Sequence, residues 1–120
     1  MMTLSPDVQA RAERIKLLIM DVDGVLTDGH IYIRDNGEEI KSFHTLDGHG
    51  LKMLQQSGVQ TAIITGRDAP SVGIRAKQLG IHHYYKGIHD KKPLMPICAP
   101  KPAWRSMSAP LLAMMWWICR

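Results

Sequence analysis

The run Lys16-Leu17-Leu18-Ile19-Met20 breaks without transition into Asp21-Val22-Asp23-Gly24-Val25-Leu26-Thr27-Asp28-Gly29. An apolar run of that length reads as a buried strand. Carboxylates cannot continue inside an apolar layer without partners, so the strand must end at Met20 and deliver Asp21 and Asp23 to a loop. Gly24 and Gly29 are placed to let that loop turn. The chain is thereby committed to a fold in which an early buried strand carries two acids to a sheet edge.

The remaining elements follow from capping and periodicity. Ser5-Pro6-Asp7 predicts a helix start, with Ser5 as N-cap and Pro6 at the first helical position, running to about Arg14. His30 to Arg34 and Glu38 to Phe43 flank Asp35-Asn36-Gly37, whose Asn-Gly pair tolerates positive φ and marks a β-hairpin. Asp47 to Gln56 reads as a helix closed by Gly58, followed by a strand from Val59 to Ile64 and the loop Thr65-Gly66-Arg67. Pro70 to Leu79 places Val72, Ala76 and Leu79 at i, i+4 and i+7, an amphipathic helix stopped by Gly80. A third strand is expected at about Ile81 to Tyr85. Strands alternating with helices imply an α/β fold, Rossmann-like, with a mostly parallel sheet and a hairpin insertion. In such sheets functional loops lie at the carboxyl ends of the strands, where Asp21, Asp23 and Thr65 all fall.

Charge does not point elsewhere. The net charge of +4 and pI of 9.3 arise mainly beyond Asp90, because residues 1–92 carry 12 basic and 11 acidic side chains. Without a basic stripe, no nucleic-acid partner is expected. Two cysteines, Cys98 and Cys119, are too few for a disulfide scaffold, which suggests a reducing cytoplasm. Met1 to Arg14 lacks the apolar run of a signal peptide, and Leu111 to Cys119 is far shorter than the roughly 20 residues of a membrane span, so neither export nor a membrane anchor is expected. The six histidines show no chelating spacing, and His82 and His83, adjacent in a strand, should face opposite sides.

Composition changes abruptly at Pro93. From Pro93 onward lie five of the seven prolines, all three tryptophans, both cysteines and four of the eight methionines, with no glycine. Prolines at 93, 96, 100, 102 and 110 interrupt any helix, so residues 93–120 are expected to be irregular beside a core of residues 1–92. Met and Trp have single codons, so Ala113 to Ile118 nearly determine their DNA. Read from the third base of each codon, that DNA permits Gly-Asp-Asp-Val-Val-Asp-Leu. The same frame permits an amphipathic helix directly after Lys92. A frame change near Lys92 accounts for both.

Asp21 and Asp23 alternate at a strand end, a spacing that can place one carboxylate and one backbone carbonyl on a hard cation such as Mg²⁺. With these residues in view, the chain resembles the haloacid dehalogenase-like phosphohydrolases, whose first motif is DxDGx(T/V) and whose second is a strand-end Thr or Ser. Within them it is similar to the 3-deoxy-D-manno-octulosonate 8-phosphate phosphatases. The resemblance rests on DVDGVLTDG, the hairpin, FHTLDGHG at 43–50, ITGR at 64–67, RxxxLGI at 75–81 and Lys91, and covers about residues 10–92.

The resemblance implies that Asp21 attacks phosphorus to form an aspartyl-phosphate which water hydrolyses, with Mg²⁺ at Asp21 and Asp23. Asp23 would exchange protons with the leaving oxygen and with water, Thr65 would hold a phosphoryl oxygen and Lys91 would balance charge. Gly66, Arg67, Arg75, Asp47 and Gly48, with Asp23, would line the site of a phosphorylated sugar acid. Plain structural readings stand beside these: Thr65 or Asp47 as a helix cap, Arg75 as an exposed helix residue, Lys91 as a solvated charge. By the same resemblance, residues 30–43 would be the contact of a homotetramer. The family's last motif, an acidic GDD-x-x-D loop supplying a third metal carboxylate, appears only in the alternative frame, so the chain as written is expected to be weakly active or inactive and poorly stable. Other readings are an acylneuraminate 9-phosphate phosphatase and a non-catalytic assembly module. Resequencing the gene through codon 92 is expected to show a frame change there; an uninterrupted frame into residues 93–120 would make the tail genuine.

Overall fold

The pairing of two apolar strands builds the sheet. In the computed structural model, which describes residues 5–90 and the backbone of 117–119, β1 (Leu17–Met20) runs parallel to β4 (Gln60–Ile64), with Leu17 opposite Gln60 and Met20 opposite Ile63. Parallel neighbours require a crossover. Here it contains a hairpin of β2 (Tyr32–Ile33) and β3 (Glu39–Ile40), and the helix α2 (Thr45–Gln56). From β4 the chain passes through α3 (Pro70–Leu79) to β5 (His83–Tyr85), again parallel. A short helix, α1 (Pro6–Ala12), precedes β1 and buries none of its residues. The sheet order is β5-β4-β1-β6, where β6 is Trp117–Cys119. The α/β class and mostly parallel sheet agree with the sequence expectation.

Alternation along the strands divides the core. Leu18 and Met20 of β1 and Ile63 of β4 pack with Leu51 of α2 and with Val72, Ala76 and Leu79 of α3. Ile19, Ala62 and Ile64 form a smaller cluster with Leu17, Tyr85 and Ile88. The helices approach closely where Gly48 faces α3: a Cβ there would meet Arg75 Nη2 at 2.5 Å and Leu79 Cδ2 at 3.0 Å. Fully buried Thr61 is satisfied from both sides, its hydroxyl accepting from Gln55 Nε2 at 2.8 Å and its N–H donating to His82 Nδ1 at 3.1 Å.

Several elements differ from the sequence expectation. α1 stops at Ala12, although Ser5 caps it as expected by accepting from Val8 N at 3.4 Å. α2 begins at Thr45 because His44 is its cap, with Nδ1 accepting from Leu46 N at 3.1 Å. Asp47 is therefore an acid in the first turn, favourably placed against the helix dipole, and not the cap. Beyond Pro93, where no regular structure is expected, Trp117–Cys119 pairs antiparallel with β1, Leu17 lying opposite Cys119. The free edge of β1 presents backbone donors and acceptors that pair without regard to side chain, which is how a segment lacking strand periodicity can fill it. The remainder of 93–120 lies outside the described residues, and among the described ones no helix is long and apolar enough to cross a membrane.

Ile63→Ala is expected to cost about 2–5 kcal/mol in urea unfolding, against about 0.5 kcal/mol or less for Ile74→Ala on the exposed face of α3. Equal losses would contradict the assigned core.

Candidate active site

Met20 is paired with Ile63, so Asp21 and Thr65 emerge one and two residues beyond that pair at the same sheet edge. The loop after β1 is a turn centred on Val22, whose carbonyl accepts from Val25 N, Leu26 N and Thr27 N at 3.2, 2.9 and 3.1 Å. Thr27 Oγ1 accepts from Gly24 N at 3.3 Å and Gly29 N at 3.2 Å, closing the loop on itself. Gly24 and Gly29 have φ of 78° and 83°, which suits glycine. Val22 and Leu26 are buried and peg the loop to the core, leaving Asp21 and Asp23 half-buried at its rim. Asp21 Oδ1 accepts from Val22 N at 2.7 Å.

Thr65 is 2% exposed. Its N–H donates to Tyr85 O at 2.9 Å, its carbonyl accepts from Ile88 N at 3.0 Å, and its Oγ1 accepts from Arg67 N at 3.3 Å. The N-cap of α3 is Ala69, with no side-chain cap bond, so Thr65 is not capping that helix. Gly66 lies beside the 86–90 loop, where a Cβ would stand 3.6 Å from His89 Nδ1.

Between these strand ends lies a ring of alternating charge. Lys41, whose side chain is 1% exposed, places Nζ 2.5 Å from Asp23 Oδ1 and 3.2 Å from Glu39 Oε2. Glu39 Oε1 is 2.5 Å from Arg67 Nη1, and Arg67 Nε is 3.6 Å from Asp23 Oδ2. Hydrogen bonding to Lys41 holds the Glu39 carboxyl below the usual glutamate range, against the opposing pull of desolvation and with help from Arg67. Burial alone would lower the pKa of Lys41, but hydrogen bonds to Asp23 and Glu39 outweigh it and hold the ammonium above the usual lysine value.

Glu39 and Lys41 are absent from the candidates drawn from sequence. Their signal was the alternation Glu39, Lys41, Phe43 along the second hairpin strand, which puts all three on one face while Ile40 takes the other. A lysine sharing a strand face with Phe43 needs an acid partner to be buried.

Arg75, Asp47 and Gly48 form a separate group. The Arg75 guanidinium stands over Phe43, 5.9 Å from the ring centre, and covers Gly48. Arg75 is thus half-buried and not an exposed helix residue. Asp47 faces a cleft of about 420 Å³ that it shares with Thr27, Asp28, Phe43 and His44, beside the acids rather than over them. Lys91 lies outside the described residues. His82 and His83 bond to Thr61 and Gln60 respectively. No group of three or more His, Cys, Asp or Glu among the described residues is arranged to hold a metal.

Because the Glu39 carboxyl is depressed in the folded state, its pairing stabilises the fold fully above the ordinary glutamate range and is lost as pH falls through the lowered value. Glu39→Gln is therefore expected to flatten the acid side of the stability–pH curve, read by thermal unfolding from neutral pH downward. An unchanged slope would contradict the ring.

No family model matches the chain. Over 88 residues it is 52% identical to the 3-deoxy-D-manno-octulosonate 8-phosphate phosphatase KdsC of Escherichia coli strain K12, a match covering 73% of this chain and 47% of the relative. The Moraxella catarrhalis 3-deoxy-D-manno-octulosonate 8-phosphate phosphatase, solved with a magnesium ion, a phosphate ion and a KDO molecule, superposes with a TM-score of 0.71 at 43% identity, over 78% of this chain and 55% of that one. The cobalt-bound deoxy-D-mannose-octulosonate 8-phosphate phosphatase of Haemophilus influenzae gives 0.65 at 46% identity, over 71% and 52%. The chain spans about half the length of these relatives. Sequence identity and superposition agree: the chain belongs, over the stretch it shares with them, to the 3-deoxy-D-manno-octulosonate 8-phosphate phosphatase family of haloacid dehalogenase-like hydrolases.

Proposed function

We propose that the chain carries the phosphoryl-acceptor part of a phosphomonoester hydrolase acting on 3-deoxy-D-manno-octulosonate 8-phosphate, a step of lipopolysaccharide precursor synthesis. The observation that carries this reading is the convergence of Asp21, Asp23 and Thr65 at the edge formed by the ends of β1 and β4. The names of the relatives favour this ester over an acylneuraminate 9-phosphate, and an enzyme over a non-catalytic module.

An Asp21 carboxylate oxygen attacks phosphorus as the bond to the sugar oxygen breaks, and Asp23 gives that oxygen a proton. Water then attacks phosphorus, Asp23 takes its proton, and Asp21 is regenerated. The Thr65 hydroxyl accepts from Arg67 N, which leaves its own hydrogen to donate to a phosphoryl oxygen. Gly66 keeps the backbone beside it narrow. Arg67 and Arg75 suit a sugar carboxylate, because a guanidinium binds carboxylate through two parallel hydrogen bonds. Asp47 and Gly48 would flank the sugar, and Lys91 would balance charge. The Asp21 carboxylate and the Asp23 backbone carbonyl are hard oxygen donors that fit Mg²⁺, which when bound supplies positive charge against the repulsion between carboxylate and phosphate.

The third carboxylate of the family pattern belongs to the alternative reading frame, so this chain is weakly active or inactive and poorly stable. Assembly as a homotetramer through residues 30–43 is supported by exposed Ile31, Tyr32, Ile33 and Ile40, with Ile33 67% exposed. The same reading carries a cytoplasmic setting and no nucleic-acid or membrane partner.

Phosphate release from 3-deoxy-D-manno-octulosonate 8-phosphate should be slow in the 120-residue chain and Mg²⁺-dependent. Restoring the alternative frame after Lys92 should raise it about a hundredfold or more, the scale on which one charge-stabilising group is felt. Turnover already comparable to an intact relative, or a restored chain that releases phosphate equally well in EDTA, would contradict the proposal.

A further inference from the structure

We infer that Lys41 is a positioning residue for Asp23, anchoring one carboxylate oxygen so that the other faces the leaving group. The inference rests on the phosphatase reading and assigns the hairpin a part in it. Lys41 Nζ lies 2.5 Å from Asp23 Oδ1, across 18 positions of sequence, while among the described residues the cation facing Asp23 Oδ2 is Arg67, its Nε at 3.6 Å, beyond hydrogen-bond length. The two oxygens are therefore unequal. Oδ1 is fixed, and Oδ2 is the one able to pass a proton to the sugar oxygen as its bond to phosphorus breaks and the Asp21–phosphorus bond forms, then to receive one from water.

Packing alone does not call for a lysine at this position. Lys41 belongs to neither apolar cluster, and its side chain is 1% exposed. A buried ion pair is often no more stabilising than an apolar side chain of the same volume, so a lysine retained here needs a reason other than stability. Glu39 supplies the second tether. It lies between Lys41 and Arg67 and holds both cations in place, so the inner face of β3 and the residue following it orients Asp23 while the outer face presents Ile40.

The test compares Lys41→Met and Lys41→Arg with the unmodified 120-residue chain in single-turnover release of the leaving group. Two esters are used with Mg²⁺: the sugar-acid 8-phosphate, whose alkoxide needs a proton, and p-nitrophenyl phosphate, whose phenolate does not. Lys41→Met is expected to slow the sugar ester about a hundredfold and the nitrophenyl ester less than about threefold, with Lys41→Arg recovering much of the loss. Equal loss on both esters, or no recovery with arginine, would overturn the inference. A second measurement requires no turnover: the Nζ resonance of Lys41 in a ¹⁵N-labelled chain should be protected from exchange and lose that protection in Asp23→Asn. If a chain restored to the alternative frame after Lys92 also releases neither leaving group, the phosphatase reading fails, and a Lys41 resonance unchanged by Asp23→Asn separately overturns the anchoring.

Discussion

Parallel registration of β1 against β4 is the constraint from which the site follows. Both strands are nearly continuous apolar runs, and once Met20 is set opposite Ile63 the next residues of each have no freedom to emerge elsewhere. A slip of one residue would turn Leu18, Met20 and Ile63 away from α2 and α3 and expose the core they fill. Hydrophobic burial therefore fixes the relative height of Asp21 and Thr65, and no contact between those two residues is needed to do so. Stability and chemistry meet at the last paired residues of the two strands.

A second constraint, electrostatic and local, ties the hairpin to that edge. Asp23, Lys41, Glu39 and Arg67 come from the β1 loop, the second hairpin strand and its continuation, and the β4 loop, and alternate in sign around the ring. Two cations and two anions neutralise one another, so the ring can sit half out of water without an uncompensated charge. It also explains why a two-stranded hairpin, marginal by itself, keeps one orientation while its outer face stays apolar and exposed.

Much of this was legible in the residues. α3 is bounded as its proline and glycine imply, and the Asn-Gly turn, β1 and β4 lie where period and composition place them. α2 begins earlier than expected because His44, outside the usual capping set, takes the role that Asp47 would ordinarily fill. β5 starts late because Ile81 N still bonds back to Ala76 O, completing the end of α3. Lys41 and Glu39 escaped because charged residues on a hairpin read as solvated; only the long-range approach of Asp23 and Arg67 makes them internal. Arg75 is legible as an arginine near the site, but its stacking on Phe43 and contact with Gly48 depend on two helices meeting, which no local pattern encodes.

The central claim is that Asp21 accepts the phosphoryl group. Borohydride quenching of the chain during exposure to the phosphate ester and Mg²⁺, followed by peptide mass spectrometry, reads it directly, because reduction of an acyl-phosphate leaves homoserine at the modified position. The account predicts homoserine at position 21, dependent on both ester and metal. Reduction at another carboxylate, or phosphate release with no reducible carboxylate at all, would contradict it.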